Sequence, residues 1–184
     1  MGQIKIGVIV GSLRPESINR RLALAITQLA PPELEFTFIE IGALPLYSEV
    51  LDANLPKACS DFKQAVEASD ALLFVTPEYN RSIPGVLKNA LDVGSRPWGS
   101  NSFNAKPGAV VGASVGAIGS ALAQQHLRNV LSYLNVPLLS QPEIYLQFND
   151  GLIDAQGQIE NDKTRQFLQG FTDQYVAWVK RMLA

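Results

Sequence analysis

The feature that most constrains the fold is a regular alternation of short apolar runs with amphipathic helical stripes. Apolar runs predict strands at 4–10, 34–38, 71–76 and 109–114, and the run 136–139 begins a fifth. Helical spacing predicts helices from Ser17 to Pro31, from Pro56, from Pro84 to Gly94, over 123–134 and from about Asp162. This order predicts an α/β fold, a three-layer, doubly wound parallel sheet of five strands.

Length and composition limit the classes of protein that fit. A chain of 184 residues with 47% hydrophobic residues predicts a single domain over residues 1–184. The net charge of −2, with 15 basic residues spread along the chain, gives no electrostatic basis for binding nucleic acid. Cys59 is the single cysteine, which excludes an intramolecular disulfide and a cysteine-cluster metal site. No signal peptide and no membrane-spanning run are recognisable, so we expect a cytoplasmic protein without a membrane partner.

The loop after the first strand has the features of an anion site. Gly11 ends the strand, and the amide groups at the start of the next helix, with the positive end of its dipole, favour a negative charge. Ser12, Ser17 and Asn19 add hydrogen-bond donors, and Arg14 adds a planar cation suited to a phosphate monoester. Ser17 could equally serve only as a helix cap. Neither the Gly-Lys-Ser of a nucleoside triphosphate loop nor a three-glycine dinucleotide motif is present, which favours a mononucleotide.

The loop after the third strand is bounded by Pro77 and Pro84, which restrict its backbone. Asn80 offers a donor and an acceptor to the edge of a heteroaromatic ring. Tyr79 could cover a ring face or simply pack, and Glu78 is interpreted as a structural or positioning residue.

The loop after the fourth strand carries Ser114 and Gly116 within a glycine-rich stretch. Glycines there let the main chain approach a flat ligand, although this spacing alone is weak evidence. In an open parallel sheet, all three loops lie at the carboxyl ends of the strands, where ligands bind.

Taken together, these motifs resemble the NADPH-dependent FMN reductase family, which includes bacterial quinone, azo and chromate reductases. The resemblance is carried by Gly11-Ser12-Leu13-Arg14 with Ser17 and Asn19, by Pro77-Glu78-Tyr79-Asn80 with Ser82-Ile83-Pro84-Gly85 and Leu87-Lys88-Asn89, by Gly112-Ala113-Ser114 with Gly116, by 123–128 and by 142–145. It extends over almost the whole chain.

The resemblance implies a flavodoxin-like strand order of 2-1-3-4-5 and an FMN cofactor. Ser12, Arg14, Ser17 and Asn19 would hold its phosphate; Pro77, Glu78, Tyr79 and Asn80 would line the isoalloxazine; and Ser114 and Gly116 would complete the far side. Members of this family form dimers or tetramers, with helix residues such as Arg128 toward partner subunits.

The expected activity is ping-pong hydride transfer from NADPH or NADH through FMN to quinones, free flavin, azo compounds or chromate, with the chemistry on the cofactor and no catalytic side chain. Arg81 and Arg96 are candidates for recognising the donor's 2′-phosphate, and His126 is interpreted as a core or surface residue.

Three alternatives are weaker. A flavodoxin-type electron carrier would be more acidic than this chain. A phospho-acceptor signalling domain would need acidic residues at the ends of the first and third strands, where Val10-Gly11 and Thr76-Pro77 stand. A cysteine-dependent reductase is disfavoured because Cys59 has no partner thiol.

Overall fold

The fold is a five-stranded parallel sheet in the order β2-β1-β3-β4-β5, as predicted. The computed structural model describes residues 3–184, so Met1 and Gly2 lie outside the described part, and the single-domain prediction for residues 1–184 stays a prediction. The elements are β1 (Ile4–Val10), α1 (Ile18–Leu29), β2 (Leu34–Phe38), a short 3₁₀ helix (Glu49–Ala53), α2 (Lys57–Glu67), β3 (Ala71–Val75), α3 (Gly85–Gly94), β4 (Gly108–Ser114), α4 (Ala121–Tyr133), β5 (Ile144–Gln147) and α5 (Asp162–Leu183).

The sheet separates two apolar cores. The central strand β3 is buried along its whole length, which explains why its sequence is uniformly apolar and not alternating. On one face, α1 and α5 pack through Leu22, Ile26 and Phe171. On the other face, α2, α3 and α4 cover the sheet, forming the three layers expected of a doubly wound fold.

The fifth strand begins later than the apolar run 136–139 predicts. Leu138 forms one parallel bridge with Gly108, and the chain then leaves the sheet until Ile144. Pro137 and Pro142 flank the departing segment, and neither has an amide hydrogen to donate to a ladder. The prediction for this strand was therefore wrong in its position, while the strand order was confirmed.

The segment between α3 and β4, which contains neither helix nor strand, is held by lysine side chains. Lys63 is almost fully buried, and its Nζ donates to the carbonyls of Gly94 at 3.0 Å and Ser100 at 2.6 Å. Lys106 donates to the carbonyls of Glu67 at 3.0 Å and Ser69 at 2.6 Å, at the end of α2. Burial lowers the pKa of both lysines, although both amines remain bonded to carbonyl oxygens.

Cys59 is buried on α2, and burial raises the pKa of its thiol, which agrees with an inert packing role. Among residues 3–184, no three side chains of His, Cys, Asp or Glu are grouped as a metal site. None of the described helices combines the length and the apolar character that crossing a membrane requires.

Candidate functional site

The three loops singled out in the sequence leave the sheet side by side. The amide of Gly11 donates to the carbonyl of Val75 at 2.8 Å, and the amide of Thr76 donates to the carbonyl of Val111 at 3.0 Å. The ends of β1, β3 and β4 are thereby locked together. Segments 11–17, 76–84 and 114–120 consequently form one surface at the carboxyl edge of the sheet, which is the ligand-binding edge of this architecture.

The first of these segments ends in a capped helix with spare amide groups. Ser17 is the N-cap of α1, and its hydroxyl accepts from the amide of Arg20 at 3.2 Å. The amides of Leu13, Glu16 and Ile18 have no hydrogen-bond partner within residues 3–184. The Ser17 hydroxyl thus serves the helix, while these backbone donors remain open to an anion.

Arg14 and Ser12 lie on this same loop. Arg14 is exposed and forms no ion pair with any other residue of the described range 3–184. Ser12 is partly exposed, and its hydroxyl accepts only a long bond of 3.4 Å from the amide of Arg14. A free guanidinium, an accessible hydroxyl and a helix start are thus concentrated within a few residues.

Asn19 has a different environment from that of Arg14. It is buried, its Nδ2 donates to the carbonyl of Ala113 at 3.0 Å, and its Oδ1 accepts from the amide of Ala113 at 2.9 Å. Strand β3 ends at Val75, opposite Val111, so Ala113 lies beyond the reach of the β3 ladder. The side-chain amide of Asn19 therefore continues that ladder as a further peptide group would. The predicted contact between Asn19 and a phosphate stays a prediction.

The second loop contains a tight turn between Tyr79 and Ser82. Each of these residues donates its amide to the other's carbonyl, at 2.9 Å in both directions. Asn80 and Arg81 have φ angles of 50° and 62°, so both central residues are left-handed, as in a type I′ turn. Tyr79, Asn80 and Arg81 are exposed on this turn, facing solvent at the edge where the loops meet.

Glu78 caps a helix that belongs to another part of the chain. Its Oε2 accepts from the amides of Leu122 at 3.0 Å and Ala123 at 3.1 Å, in the first turn of α4. The N-cap residue of that helix, Ser120, has a φ of 67° and makes no side-chain cap. The carboxylate supplies the missing cap and complements the positive end of the helix, which agrees with the structural interpretation of Glu78.

The third loop is closed by glycines that cannot be replaced without collision. A Cβ on Gly112 would meet the carbonyl of Thr76 and the hydroxyl of Ser120. Gly119 has a φ of 54°, and a Cβ there would meet the backbone of Tyr145. Between them, Ser114 is partly exposed, and its hydroxyl accepts from the amide of Gly116 at 3.1 Å. The loop is therefore drawn onto the sheet edge, with Gly116 exposed.

Sequence reasoning missed several buried or paired polar residues that build this edge. Asn89 on α3 accepts from the amide of Tyr47 at 2.8 Å and donates to the carbonyl of Pro45 at 2.9 Å. Gln124 on α4 donates to the carbonyl of Ile144 at 2.7 Å. The sequence did contain a signal, because Asn89 and Gln124, like the candidate residue Asn19, occupy positions on the buried faces of their helices, where an amide needs a partner.

The two candidate arginines are placed differently. Arg96 lies 5.7 Å from the ring centre of Tyr47 and 5.9 Å from that of Trp98, whereas Arg81 is exposed at the tip of the tight turn. A cavity of about 770 Å³ lies beside Arg96, Trp98 and Tyr133, between α3 and α4. It is separate from the polar loop edge, which is an open surface.

Comparison with known proteins gives a consistent result. The model of the NADPH-dependent FMN reductase family matches residues 4–150. A 2-hydroxy-1,4-benzoquinone reductase from Burkholderia sp. is 54% identical over 177 residues, covering 96% of this chain and 97% of that protein. A quinone reductase from Pseudomonas putida is 49% identical over 182 residues, covering 98% and 97% of the two chains.

A solved structure extends the similarity to three dimensions. The flavoenzyme NAD(P)H:(acceptor) oxidoreductase FerB from Paracoccus denitrificans superposes with a TM-score of 0.93 at 44% identity, covering 97% of this chain and 98% of that one. The loops quoted for the family resemblance fall within residues 4–150, the part that the family model matches. The chain belongs to the NADPH-dependent FMN reductase family.

Proposed function

We propose that this protein is an FMN-dependent NAD(P)H oxidoreductase that passes electrons to small acceptors, with quinones as the principal class. The observation that carries the proposal is the convergence of segments 11–17, 76–84 and 114–120 at one sheet edge, in a chain that matches the FMN reductase family over residues 4–150. Relatives that align over nearly their whole length are named quinone reductases, which supports the choice of acceptor.

The phosphate end of FMN is assigned to the first loop. Within the described part of the chain, the backbone amides of Leu13, Glu16 and Ile18 and the guanidinium of Arg14 have no partner. These donors fit a doubly charged monoester, because charge-assisted bonds from fixed donors are the strongest available to it. Ser12 adds an accessible hydroxyl. Ser17 and Asn19 contribute chiefly by fixing the start of α1, through the helix cap and the bond to Ala113.

The ring end is assigned to the second and third loops. Asn80 is exposed on a turn whose backbone is fixed, its side-chain amide has no hydrogen-bond partner among residues 3–184, and Pro77 and Tyr79 precede it on the same loop. Ser114 and Gly116 lie at the end of β4, at the same edge of the sheet, and we assign them to the far side of the ring. Glu78 lines this region while its carboxylate serves α4, so we assign it the role of holding the loop in place.

Bound FMN supplies the hydride-accepting and hydride-donating position, so the protein has to bind and orient three partners in turn. An open surface at this edge would let the nicotinamide donor leave before the acceptor arrives, so we expect ping-pong kinetics. The polar side chains assigned to the ring end include the amide of Asn80, the hydroxyl of Ser114 and the carboxylate of Glu78, which caps α4, and they serve to position the reactants.

An electron carrier without substrate turnover is less favoured. The net charge of −2 gives little electrostatic steering toward a basic redox partner. The named relatives are reductases that act on quinones or FMN.

The absorbance spectrum of the purified protein tests the proposal. The visible absorbance bands of oxidised flavin should be present or appear on adding FMN. They should bleach anaerobically on adding NADPH or NADH and return on adding a quinone. A protein that binds no FMN, or whose flavin is reduced by neither nicotinamide, would contradict the proposal. The rates of bleaching by NADPH and by NADH rank the two donors. The rates at which quinone, free flavin, azo dye and chromate reoxidise the reduced flavin rank the acceptors.

Assembly and location are further parts of the proposal. Trp98 and Tyr133 are highly exposed beside the cavity between α3 and α4, an aromatic surface that suits a homodimer or homotetramer contact. Light scattering of the eluted protein measures the subunit number. A cytoplasmic location, where reduced nicotinamide is available, is checked by cell fractionation.

A further inference from the structure

His126, the single histidine of the chain, contacts the ring-end loop. Its Nδ1 lies 2.8 Å from the hydroxyl oxygen of Ser82, the residue that closes the tight turn with Tyr79. When the imidazole is neutral with its proton on Nε2, Nδ1 accepts a hydrogen bond from the Ser82 hydroxyl. The histidine is thus tied to the loop that carries Asn80.

The tight turn is held at both ends by the same helix. Before the turn, Glu78 accepts from the amides of Leu122 and Ala123; after it, Ser82 bonds to His126. Leu122 and His126 are four residues apart on α4 and therefore lie on one face of that helix. The turn Tyr79–Ser82 is therefore attached to α4 at two points, on either side of Asn80.

The conformation between these two points needs support. Asn80 and Arg81 both have left-handed φ angles, a region that residues other than glycine seldom adopt and that persists only where the surroundings enforce it. Removing one attachment leaves the turn held only at the Glu78 end. We expect the turn then to shift away from α4, carrying Asn80 and Tyr79 with it.

We propose that His126 is a positioning residue for the flavin ring: its bond to Ser82 fixes the turn that presents Asn80 and Tyr79 to the isoalloxazine. The inference rests on the proposed function, since it assigns this turn to the ring end of FMN. It adds a residue on α4, outside the three loops, to the machinery of flavin reduction. His126 acts through Ser82 and contacts no reacting atom.

Asparagine and glutamine differ in which histidine nitrogen they can replace at position 126. In asparagine, Oδ1 occupies nearly the place of the histidine Nδ1, whereas in glutamine the amide oxygen corresponds to Nε2. His126→Asn can therefore restore the bond to Ser82, while His126→Gln and His126→Ala cannot. Ser82→Ala removes the same bond from the other side, and Ser132→Ala, at an exposed position on α4, serves as the matched control.

The holoenzymes are compared by visible circular dichroism of the bound flavin, by the rate of flavin reduction at saturating NADPH, and by affinity for FMN and for riboflavin. His126→Ala, His126→Gln and Ser82→Ala should each lower the reduction rate about fivefold, the effect of losing one hydrogen bond. The affinity of these variants for FMN and for riboflavin should fall by the same factor, because the turn is assigned to the ring and not to the phosphate. His126→Asn and Ser132→Ala should retain the wild-type dichroism and rate.

The double variant His126→Ala/Ser82→Ala separates a shared bond from two independent effects. Its flavin reduction rate should be about fivefold lower than that of the wild type and not about twenty-five-fold lower, because the two changes remove the same hydrogen bond. A multiplicative loss, or single variants with unchanged dichroism and rate, would overturn the assignment. If His126→Ala unfolds, Ser82→Ala and the Asn–Gln comparison decide the question.

The failure of this inference is distinguishable from failure of the proposed function. A wild-type protein without bound flavin, or without reduction by nicotinamide, refutes the function before any variant is made. A competent wild type whose His126 and Ser82 variants behave like Ser132→Ala refutes only the positioning role.

Discussion

The side chain of Asn19 and the backbone of Ala113 form a reciprocal pair, with Nδ2 donating to the carbonyl at 3.0 Å and the Ala113 amide donating to Oδ1 at 2.9 Å. The pair joins α1 to β4 at the point where β3 has ended. Asn19→Ala would leave both backbone groups of Ala113 buried and unpaired on that side. We expect a loss of about 3 kcal/mol in the free energy of unfolding, measured by urea denaturation.

Asn149→Ala, at an exposed loop position, is the control for this experiment and should change stability by less than about 0.5 kcal/mol. If Asn19→Ala were as stable as that control and lost only FMN, Asn19 would act on the ligand and not on the sheet.

Arg14 is predicted to discriminate between phosphorylated and unphosphorylated flavin. It is exposed and without an ion pair in the described part of the chain, so Arg14→Ala removes a cation without disturbing packing. We expect FMN to bind roughly 10- to 100-fold more weakly and riboflavin to be unaffected, because only FMN carries the charge. Fluorescence titrations measure both constants, and equal losses for the two ligands would assign Arg14 another role.

Asn80 is predicted to contact the ring edge, and its left-handed backbone dictates how to test it. Because Asn80 has a φ of 50°, glycine is the substitution that removes the side-chain amide without straining the backbone. Asn80→Gly should weaken FMN and riboflavin alike, about 3- to 10-fold, with a shifted flavin potential. The neighbouring Arg81, with a φ of 62°, offers Arg81→Gly as the backbone-matched control. Equal flavin affinity in the two variants would remove Asn80 from the site.

Much of this architecture could be predicted because it depends on patterns local to the chain. Apolar runs and helical spacing predicted the alternation of strands and helices, the family resemblance implied the strand order, and glycine, proline and polar residues marked the three loops at the sheet edge. The pairing of Asn19 with Ala113 and of His126 with Ser82 could not be predicted, because hydrogen-bond partners far apart in sequence leave no periodic signal. The fifth strand was misplaced because prolines interrupt an otherwise suitable apolar run.

Tyr175 presents a substitution that should not destabilise the protein. Its side chain is fully buried, its hydroxyl has no partner among residues 3–184, and burial raises the pKa of that hydroxyl far above its usual range. Its ring stacks on Phe171, with centroids 6.1 Å apart, a contact that Tyr175→Phe retains. We expect the free energy of unfolding to stay equal or rise by up to about 1 kcal/mol.

Tyr133→Phe, at an exposed tyrosine, is the control and should be neutral. A loss of more than about 1 kcal/mol on Tyr175→Phe would mean that the buried hydroxyl is satisfied in solution.

Glu143 should contribute stability that depends on pH. The adjacent Tyr145 hydroxyl lowers the pKa of the Glu143 carboxyl below its usual range, and Gln125 and Arg128 act in the same direction. A carboxyl with a depressed folded-state pKa stabilises the protein above its unfolded pKa of about 4.3, and this contribution is lost as the pH falls through the folded-state value.

The difference in unfolding free energy between wild type and Glu143→Gln should therefore be constant from about pH 6 to pH 8 and shrink below about pH 4. Chemical denaturation at each pH measures it, and Glu160→Gln, at an exposed carboxyl, gives the baseline. A difference that does not change with pH would mean that packing, and not ionisation, distinguishes the two side chains.

The lysine contacts around the stretch between α3 and β4 have a chemical consequence. Lys63 and Lys106 each place one compact ammonium group between two carbonyl oxygens, a fit that a planar guanidinium cannot reproduce. The stretch that lines the cavity at Arg96 and Trp98 is thus tied to α2 by the Lys63 amine and not by regular backbone pairing, while Lys106 anchors the end of the stretch to the end of α2.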